Sequence, residues 1–499
     1  MNARTQEAHT GPRAPFPATI SSALRAALVG LLLLPATGAT AASASPPLPS
    51  APAASAIRQL AGPVVAPPAN DRSPDGVETD DLTRASRAWR AGDSETALDL
   101  LTRIVAHDQG NLPALLLQAS VLHSIGRLSD ALDTVERVLR REPRSPAGLQ
   151  EKARILLDMG RGVEAEAAVR LALKIEPASA ALADLLGIAL HAQAAGLPAD
   201  DPRRSPSAEA ASAASPSAVA RFTRLEQAAS ALEAATQIDP TLADAWIDLG
   251  AVYLDLGRTA QACKALNHAL ALRPDATDAL VLLGLSRLSA SDLDGAARAF
   301  SDALVLEPRK VSALVNLACA RYRQNRAPEA LSLAARALEL EAAHPQALVI
   351  RGSIRRDSGQ IAGARRDLEL AVSVAPGDAS ALTALGTLQL TLGEADKARA
   401  TLESALQLGA HDAALENNLG LAYKLLARYD NAREHLEKAL ALQPDDAEIT
   451  YNLATTSSLA GDRQGAIDGF QAYLRLAPNA PDCAVVRERV KELCSSRPK

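Results

Sequence analysis

Aromatic side chains are scarce in this chain of 499 residues: four Phe, two Trp and six Tyr make up about 2% of it, although 48% is hydrophobic. A core with so few rings must be closed by small and aliphatic side chains packed at short range. Cysteine is rare as well, with four residues, too few and too scattered for a disulfide framework. Cys483 and Cys494 fall on one expected helix, where eleven residues at 1.5 Å rise separate them by about 16 Å, beyond disulfide reach. No strong excess of basic charge exists: 52 Lys and Arg against 58 Asp and Glu leave −6, which offers nucleic acid and anionic lipid no general attraction. A charged fraction of 22% and a mean hydropathy near zero exclude a wholly disordered chain and a polytopic membrane protein. The eight histidines show no HExxH or other metal-binding helical spacing, and no phosphate-cradling glycine loop or nucleophile elbow occurs. His435 and Glu437 sit on an expected outward stretch of helix and read as a solvated charged face. No metal, cofactor or small-molecule substrate is expected.

The N-terminus has the order of a secretory leader. Arg4, Arg13 and Arg25 precede the apolar run Ala26 to Leu34, and two A-x-A sites follow, at Ala39–Ala41 and Ala42–Ala44. The run is too short for a comfortable membrane span, which needs about 20 apolar residues, so residues 1–44 are expected to be a cleaved signal peptide. A membrane role arises only with an uncleaved leader. No cysteine follows the run to accept a lipid, and an exported, periplasmic or envelope-associated location is the expectation. Residues 45–77, with eight prolines among Ala and Ser, are expected to be a disordered tether.

Beyond residue 77 the chain is periodic. Prolines stand at Pro143, Pro177, Pro240, Pro274, Pro308, Pro376, Pro444 and Pro478, with gaps of 34, 63, 34, 34, 68, 68 and 34. All are multiples of 34 except 63, which is one period plus an insertion of 29. Eleven units then begin at residues 78, 112, 146, 180, 243, 277, 311, 345, 379, 413 and 447. The register is tested by columns that did not define it. Position 20 is alanine in every unit, from Ala97 to Ala466, and position 8 is Gly or Ala in every unit, from Ala85 to Ala454. Position 15 is Gly92, Gly126, Gly160, Gly257, Gly359, Gly393 and Gly461, with Asn325 in an eighth unit. Each unit thus reads as helix A, a turn with a left-handed residue, then helix B stopped near the proline slot. Small residues at positions 8 and 20 allow the paired helices to cross closely.

A 34-residue helix-turn-helix period resembles the tetratricopeptide (TPR) repeat, and the unit from Ala243 to Ala276 is similar to its consensus at Trp246, Leu249, Gly250, Tyr253, Ala262, Ala269 and Pro274. The resemblance implies an all-α fold, a right-handed TPR superhelical solenoid of about eleven repeats plus a C-terminal capping helix. The expected layout is repeats one to the first part of four over 78–196, a disordered insertion within repeat four at 197–222, repeats four to eleven over 223–480, and a capping helix and tail at 481–499. Val486, Val490 and Leu493 give that last helix one apolar stripe.

The resemblance also implies a concave groove lined by helix A at positions 2, 5, 6, 9, 12 and 13, which holds an extended peptide or a partner helix. Candidate groove residues are Asn316, Tyr322, Arg356, Asn417, Asn418, Lys424, Tyr451 and Asn452. Asn at position 6 can donate and accept toward a peptide backbone whatever its sequence, or can bond neighbouring helices instead. The carboxylate clamp of chaperone-binding TPR proteins is absent: beside Asn418, position 9 is Leu421, and the next unit offers Glu448 and Tyr451. The functional expectation is a non-catalytic, protein- or peptide-binding scaffold in assembly of an envelope or secreted structure, such as a pilus, polysaccharide export or outer-membrane machinery. The alternative is a regulatory or positioning subunit of a separate envelope enzyme. No nucleic acid partner is expected.

Overall fold

The computed structural model describes residues 78–197 and 216–495, in which 23 helices and no strands occur. The expected leader and tether lie outside the described residues. Helix A of successive units is Glu78–Arg90 (α1), Leu112–Ser124 (α3), Pro146–Asp158 (α5), Ala180–Ala195 (α7), Ala243–Asp255 (α9), Thr277–Ser289 (α11), Val311–Arg323 (α13), Pro345–Asp357 (α15), Ala379–Thr391 (α17), Ala413–Leu425 (α19) and Ala447–Ala460 (α21). Helix B is Ser94–His107 (α2), Leu128–Arg141 (α4), Gly162–Ile175 (α6), Pro216–Ile238 (α8), Thr259–Leu272 (α10), Leu293–Leu306 (α12), Ala327–Leu340 (α14), Ile361–Val374 (α16), Ala395–Gln407 (α18), Tyr429–Leu442 (α20) and Arg463–Leu476 (α22). Cys483–Ser495 (α23) follows.

Local chemistry sets these boundaries. The residue before helix A is often a cap: the Asn111, Ser145, Asp412 and Asp446 side chains accept from backbone N–H groups three residues on, at 2.8–3.3 Å. Pro113, Pro146 and Pro345 occupy the first or second helical position, where no N–H is needed. Helix A ends in a left-handed residue at position 15 in ten of the eleven units. Seven of these are glycine, Asn325 has φ +59°, and Ser291 and Ala427 take φ +61° and +55° although each carries a β-carbon. Unit four differs, because α7 runs straight through the slot at Ala194.

The small-residue columns lie where helices A and B cross. All eleven position-20 alanines are 0% exposed, and every position-8 Gly or Ala is buried. Six position-8 glycines face a large side chain at position 24. A β-carbon on Gly187, Gly250, Gly284, Gly352, Gly386 or Gly420 would stand 2.4–2.8 Å from Leu232, Leu266, Phe300, Leu368, Leu402 or Leu436. Where position 8 is Ala119, Ala153 or Ala318, position 24 shrinks to Val135, Val169 or Ala334. Bulk on one helix is matched by its loss on the other, as close packing demands. The end units escape this pairing, with Ala85 opposite Leu101 and Ala454 opposite Phe470. In the last unit Gly469 supplies the space, since a β-carbon there would lie 2.8 Å from that of Ala454.

Each helix packs on the next in sequence, and each helix A also packs along the array on the following helix A. Helices B make no comparably extensive contact with one another among the described residues. The A helices therefore form the crowded inner layer and the B helices the spread outer layer of a curved solenoid. Unit-to-unit contacts recur on this frame. The position-11 hydroxyls of Tyr253 and Tyr423 donate at 2.6 Å to Glu233 and Glu403, at position 25 of the preceding unit.

Two expected boundaries change. Residues 216–222 belong to α8 and not to a disordered insertion: Pro216 opens the helix, where its fixed φ favours a first turn, and no Gly or Pro follows before Pro240. The capping helix begins at Cys483, with Val486 buried and Val490 and Leu493 packed on the last repeat beside Phe470 and Tyr473. Arg463 from α22 donates to the carbonyls of Leu493 and, at 2.8 Å, Cys494 near the end of α23.

Candidate functional site

The A-helix layer presents one continuous face, and polar side chains bridge it from unit to unit. A recurring rung joins position 12 of one unit to an aspartate at position 13 of the next. His123 Nε2 lies 2.6 Å from Asp158 Oδ2, His191 Nε2 lies 2.7 Å from Asp255 Oδ2, and the Tyr322 hydroxyl donates to Asp357. The first rung has a second acid, Glu151, 3.4 Å from His123 Nδ1 and itself 3.6 Å from Arg154. Burial works against the His123 imidazolium, yet its hydrogen bonds to Asp158 and Glu151 prevail and hold its pKa up at about 9. In the Tyr322 rung, burial and the Asp357 carboxylate push the phenol well above its ordinary range.

The expected groove residues fall into two groups along this face. Toward the middle of the array, Asp357 is shared: Oδ2 accepts from Tyr322 and Oδ1 accepts from Arg356 Nε at 2.9 Å. Arg356 is 6% exposed, with Nη2 2.8 Å from Asp357 Oδ1, and its Nη1 meets no hydrogen-bond acceptor among the described residues; Asn316, 2% exposed, has a carbonyl Oδ1 equally unpartnered among them. Nearer the C-terminus, Asn418 Nδ2 donates to Thr387 Oγ1 at 3.0 Å, and Asn452 Nδ2 donates to Asn417 Oδ1 at 3.1 Å. These asparagines bond neighbouring A helices, the second of the two roles open to them, so they fix the spacing of units 9 to 11. Tyr451 turns toward helix B of its own unit, its ring 5.9 Å from Phe470 and 5.2 Å from Tyr473. Lys424 is half-buried, and burial alone lowers its pKa.

Sequence reasoning missed the position-13 column. Asp158, Asp255 and Asp357 share that register and face His123, His191 and Tyr322, a signal available only when columns 12 and 13 of adjacent units are compared. His435 is also corrected. Its Nδ1 lies 2.7 Å from Glu416 Oε2 and its ring stacks on Tyr423 at 5.3 Å, while Glu437 alone stays on the solvated side. The reason is that helix B turns one edge toward the A helix of its own unit, and His435 sits on that edge. Among the described residues no helix is long and apolar enough to cross a membrane, and no group of three or more His, Cys, Asp or Glu could hold a metal ion.

Stacked helical hairpins with a polar inner face define a helical-repeat solenoid. The chain belongs to the tetratricopeptide repeat family: one family profile matches residues 88–150, 222–284 and 426–487, and a second matches 125–181, 281–348 and 351–413. No curated protein matches the chain. Among solved structures it is similar to the Cut9–Hcn1 hetero-tetramer of APC/C, at 17% identity and TM-score 0.48, over 83% of this chain and 90% of that one. It is also similar to yeast Tom70, at 14% identity and TM-score 0.39, over 85% and 96% of the two chains. A third is Pseudomonas aeruginosa PilF, at 19% identity and TM-score 0.38, over 44% of this chain and 99% of that one. Folds of this family generally serve as protein-interaction scaffolds.

Proposed function

We propose that this protein is a non-catalytic scaffold whose A-helix groove binds a protein partner, and that it works outside the cytoplasm in assembly of an envelope or secreted structure. The observation that carries the binding reading is the inner face itself: it runs through all eleven units and holds partly exposed cations, Arg323 and Lys424, that have no ion-pair partner among the described residues. A partly buried cation without a counter-charge is costly, and a bound segment that supplies acceptors at the groove surface reduces the cost. Export is supported by the basic start, short apolar run and A-x-A sites of residues 1–44.

A photo-crosslinking amino acid placed at Lys424, on the inner face, and separately at Val163, 68% exposed on outer helix α6, tests the groove in cells. Protein adducts from position 424 and none from 163 are expected; the reverse pattern would remove the groove from the mechanism. Export is tested by N-terminal sequencing, which should find a mature start near Ala42 or Ser45. Met1 retained on protein confined to the cytoplasm would contradict it.

A further inference from the structure

The rungs of the inner face show where this chain neutralises its own charges and where it does not. In the rung register, position 12 finds its partner at position 13 of the next unit. Lys424 occupies position 12, but the next position 13 is Leu459. Arg323 occupies position 13, but the preceding position 12 is Leu288, fully buried. Arg356 occupies position 12, and its counterpart Thr391 spends its hydroxyl on the Thr387 carbonyl at 2.9 Å. Arg356 turns instead to the adjacent Asp357, already bonded to Tyr322, and one amino group is left without an acceptor. Arg323 Nη1 is likewise buried without an acceptor, and neither Arg323 nor Lys424 has an ion-pair partner among the described residues. Burial lowers the pKa of both, the behaviour of cations that have lost water and gained no anion.

We infer that Arg323 and Lys424 form a cationic track in the C-terminal half of the groove that receives an extended, acidic segment of the partner protein. This rests on the groove reading above and specifies the chemistry of its occupant. The carboxylates of the partner pair at the groove surface with the cations to which Leu459 and Leu288 offer no charge. Adjacent A helices stand ~10 Å apart and an extended chain advances ~3.3 Å per residue. Arg323 and Lys424 lie three units apart, so acidic side chains about nine residues apart match them. The groove discriminates against a nucleic acid strand because its earlier units carry Asp184 and Asp255 on the same face, and because it offers few aromatic rings on which bases could stack.

The test is fluorescence anisotropy with the purified full chain and four labelled probes: a dodecapeptide of alternating Asp and Ala, its Asn analogue, its Lys analogue, and a single-stranded oligonucleotide of the same charge as the Asp peptide. The Asp peptide should bind at least about tenfold more tightly than the Asn analogue. Arg323→Gln and Lys424→Gln should each weaken it about five- to tenfold and leave the Asn analogue unchanged. Arg170→Gln, a cation half-exposed on the outer helix α6, should have no effect. Equal binding of Asp and Asn peptides overturns the inference and leaves the groove reading standing, whereas binding of none of the peptides overturns both. Tighter binding of the oligonucleotide, or an equal loss from Arg170→Gln, also overturns it. Melting curves of the Gln variants that match the parent protein assign any loss to binding and not to unfolding.

Discussion

Replacing Gly284 by alanine sets two physical effects against each other with opposite signs. Within a helix the change should stabilise by about 1 kcal/mol, because alanine has less backbone freedom to lose on folding. The structure opposes it: the new β-carbon would stand 2.4 Å from Phe300 Cε1 and 2.7 Å from both Cδ1 and Cζ. Ordinary carbon contacts lie near ~3.5–4.0 Å, so the overlap exceeds about 1 Å at a rigid ring that is 0% exposed and has no free volume to enter. Overpacking of this kind costs about 1–3 kcal/mol, and three clashing ring atoms put it at the upper end. The net expectation is a loss of about 2 kcal/mol, or roughly 30-fold in the local opening constant. Amide hydrogen exchange read by mass spectrometry suits the measurement, because a solenoid need not unfold as one unit. Exchange should accelerate in α11 and α12 and remain at parent rates in α1 to α4. Adding Phe300→Val recreates the Ala–Val pairing of Ala119 with Val135 and Ala153 with Val169, so the double variant should lose less than the two single losses summed, by about 1 kcal/mol or more. A Gly284→Ala protein stabilised by the full helix-propensity gain would refute the close-crossing argument, and with it the explanation for the position-8 column.

Three further outcomes follow from geometry already described. Ser291→Gly and Ala427→Gly should each stabilise by about 0.5–1 kcal/mol in urea denaturation, since a β-carbon at φ +61° or +55° is strained; a loss would mean the turns rely on those side chains. With its folded pKa raised to about 9, His123 contributes stability in full below pH ~6.5 that is lost as pH rises through about 9. His123→Gln should therefore cost about 2–3 kcal/mol near neutral pH and abolish the alkaline loss of exchange protection in α3 and α5, and a profile unchanged between pH 6 and 10 would contradict the rung. Thiol labelling should reach exposed Cys494 first and Cys319 last, because Cys319 is fully buried with its pKa pushed up to about 11; early labelling of Cys319 would show unit seven to be open.

The repeat register was legible because its causes are local and recur: a small residue at each crossing, a left-handed residue at each turn. Gly92 or Gly257 announces such a turn by residue type, but Ser291 and Ala427 do not, and only the period places them in the same conformation. The start of α8 is hidden because Pro216 stands in line with the prolines before it, and proline both interrupts helices and begins them. Of the groove, the candidate positions could be named but not their partners. Asn418 with Thr387, Asn452 with Asn417 and Tyr322 with Asp357 join different units, so each depends on how far one helix is rotated against the next. His435 depends on the same rotation within one unit.

The alanine column at position 20 also bears on how such a chain can change length. Because every unit presents the same small crossing, removal of 34 residues in register joins two halves that still meet alanine on glycine or alanine. A slip of the gene by one period is then a tolerated event at most places in the array. It is not tolerated where a rung spans the joint: losing the unit that holds Asp158 leaves His123 facing Ala192, and losing the one that holds Asp357 leaves Tyr322 facing Thr391. The rungs thus act as punctuation in an otherwise interchangeable text, marking which neighbours must remain neighbours.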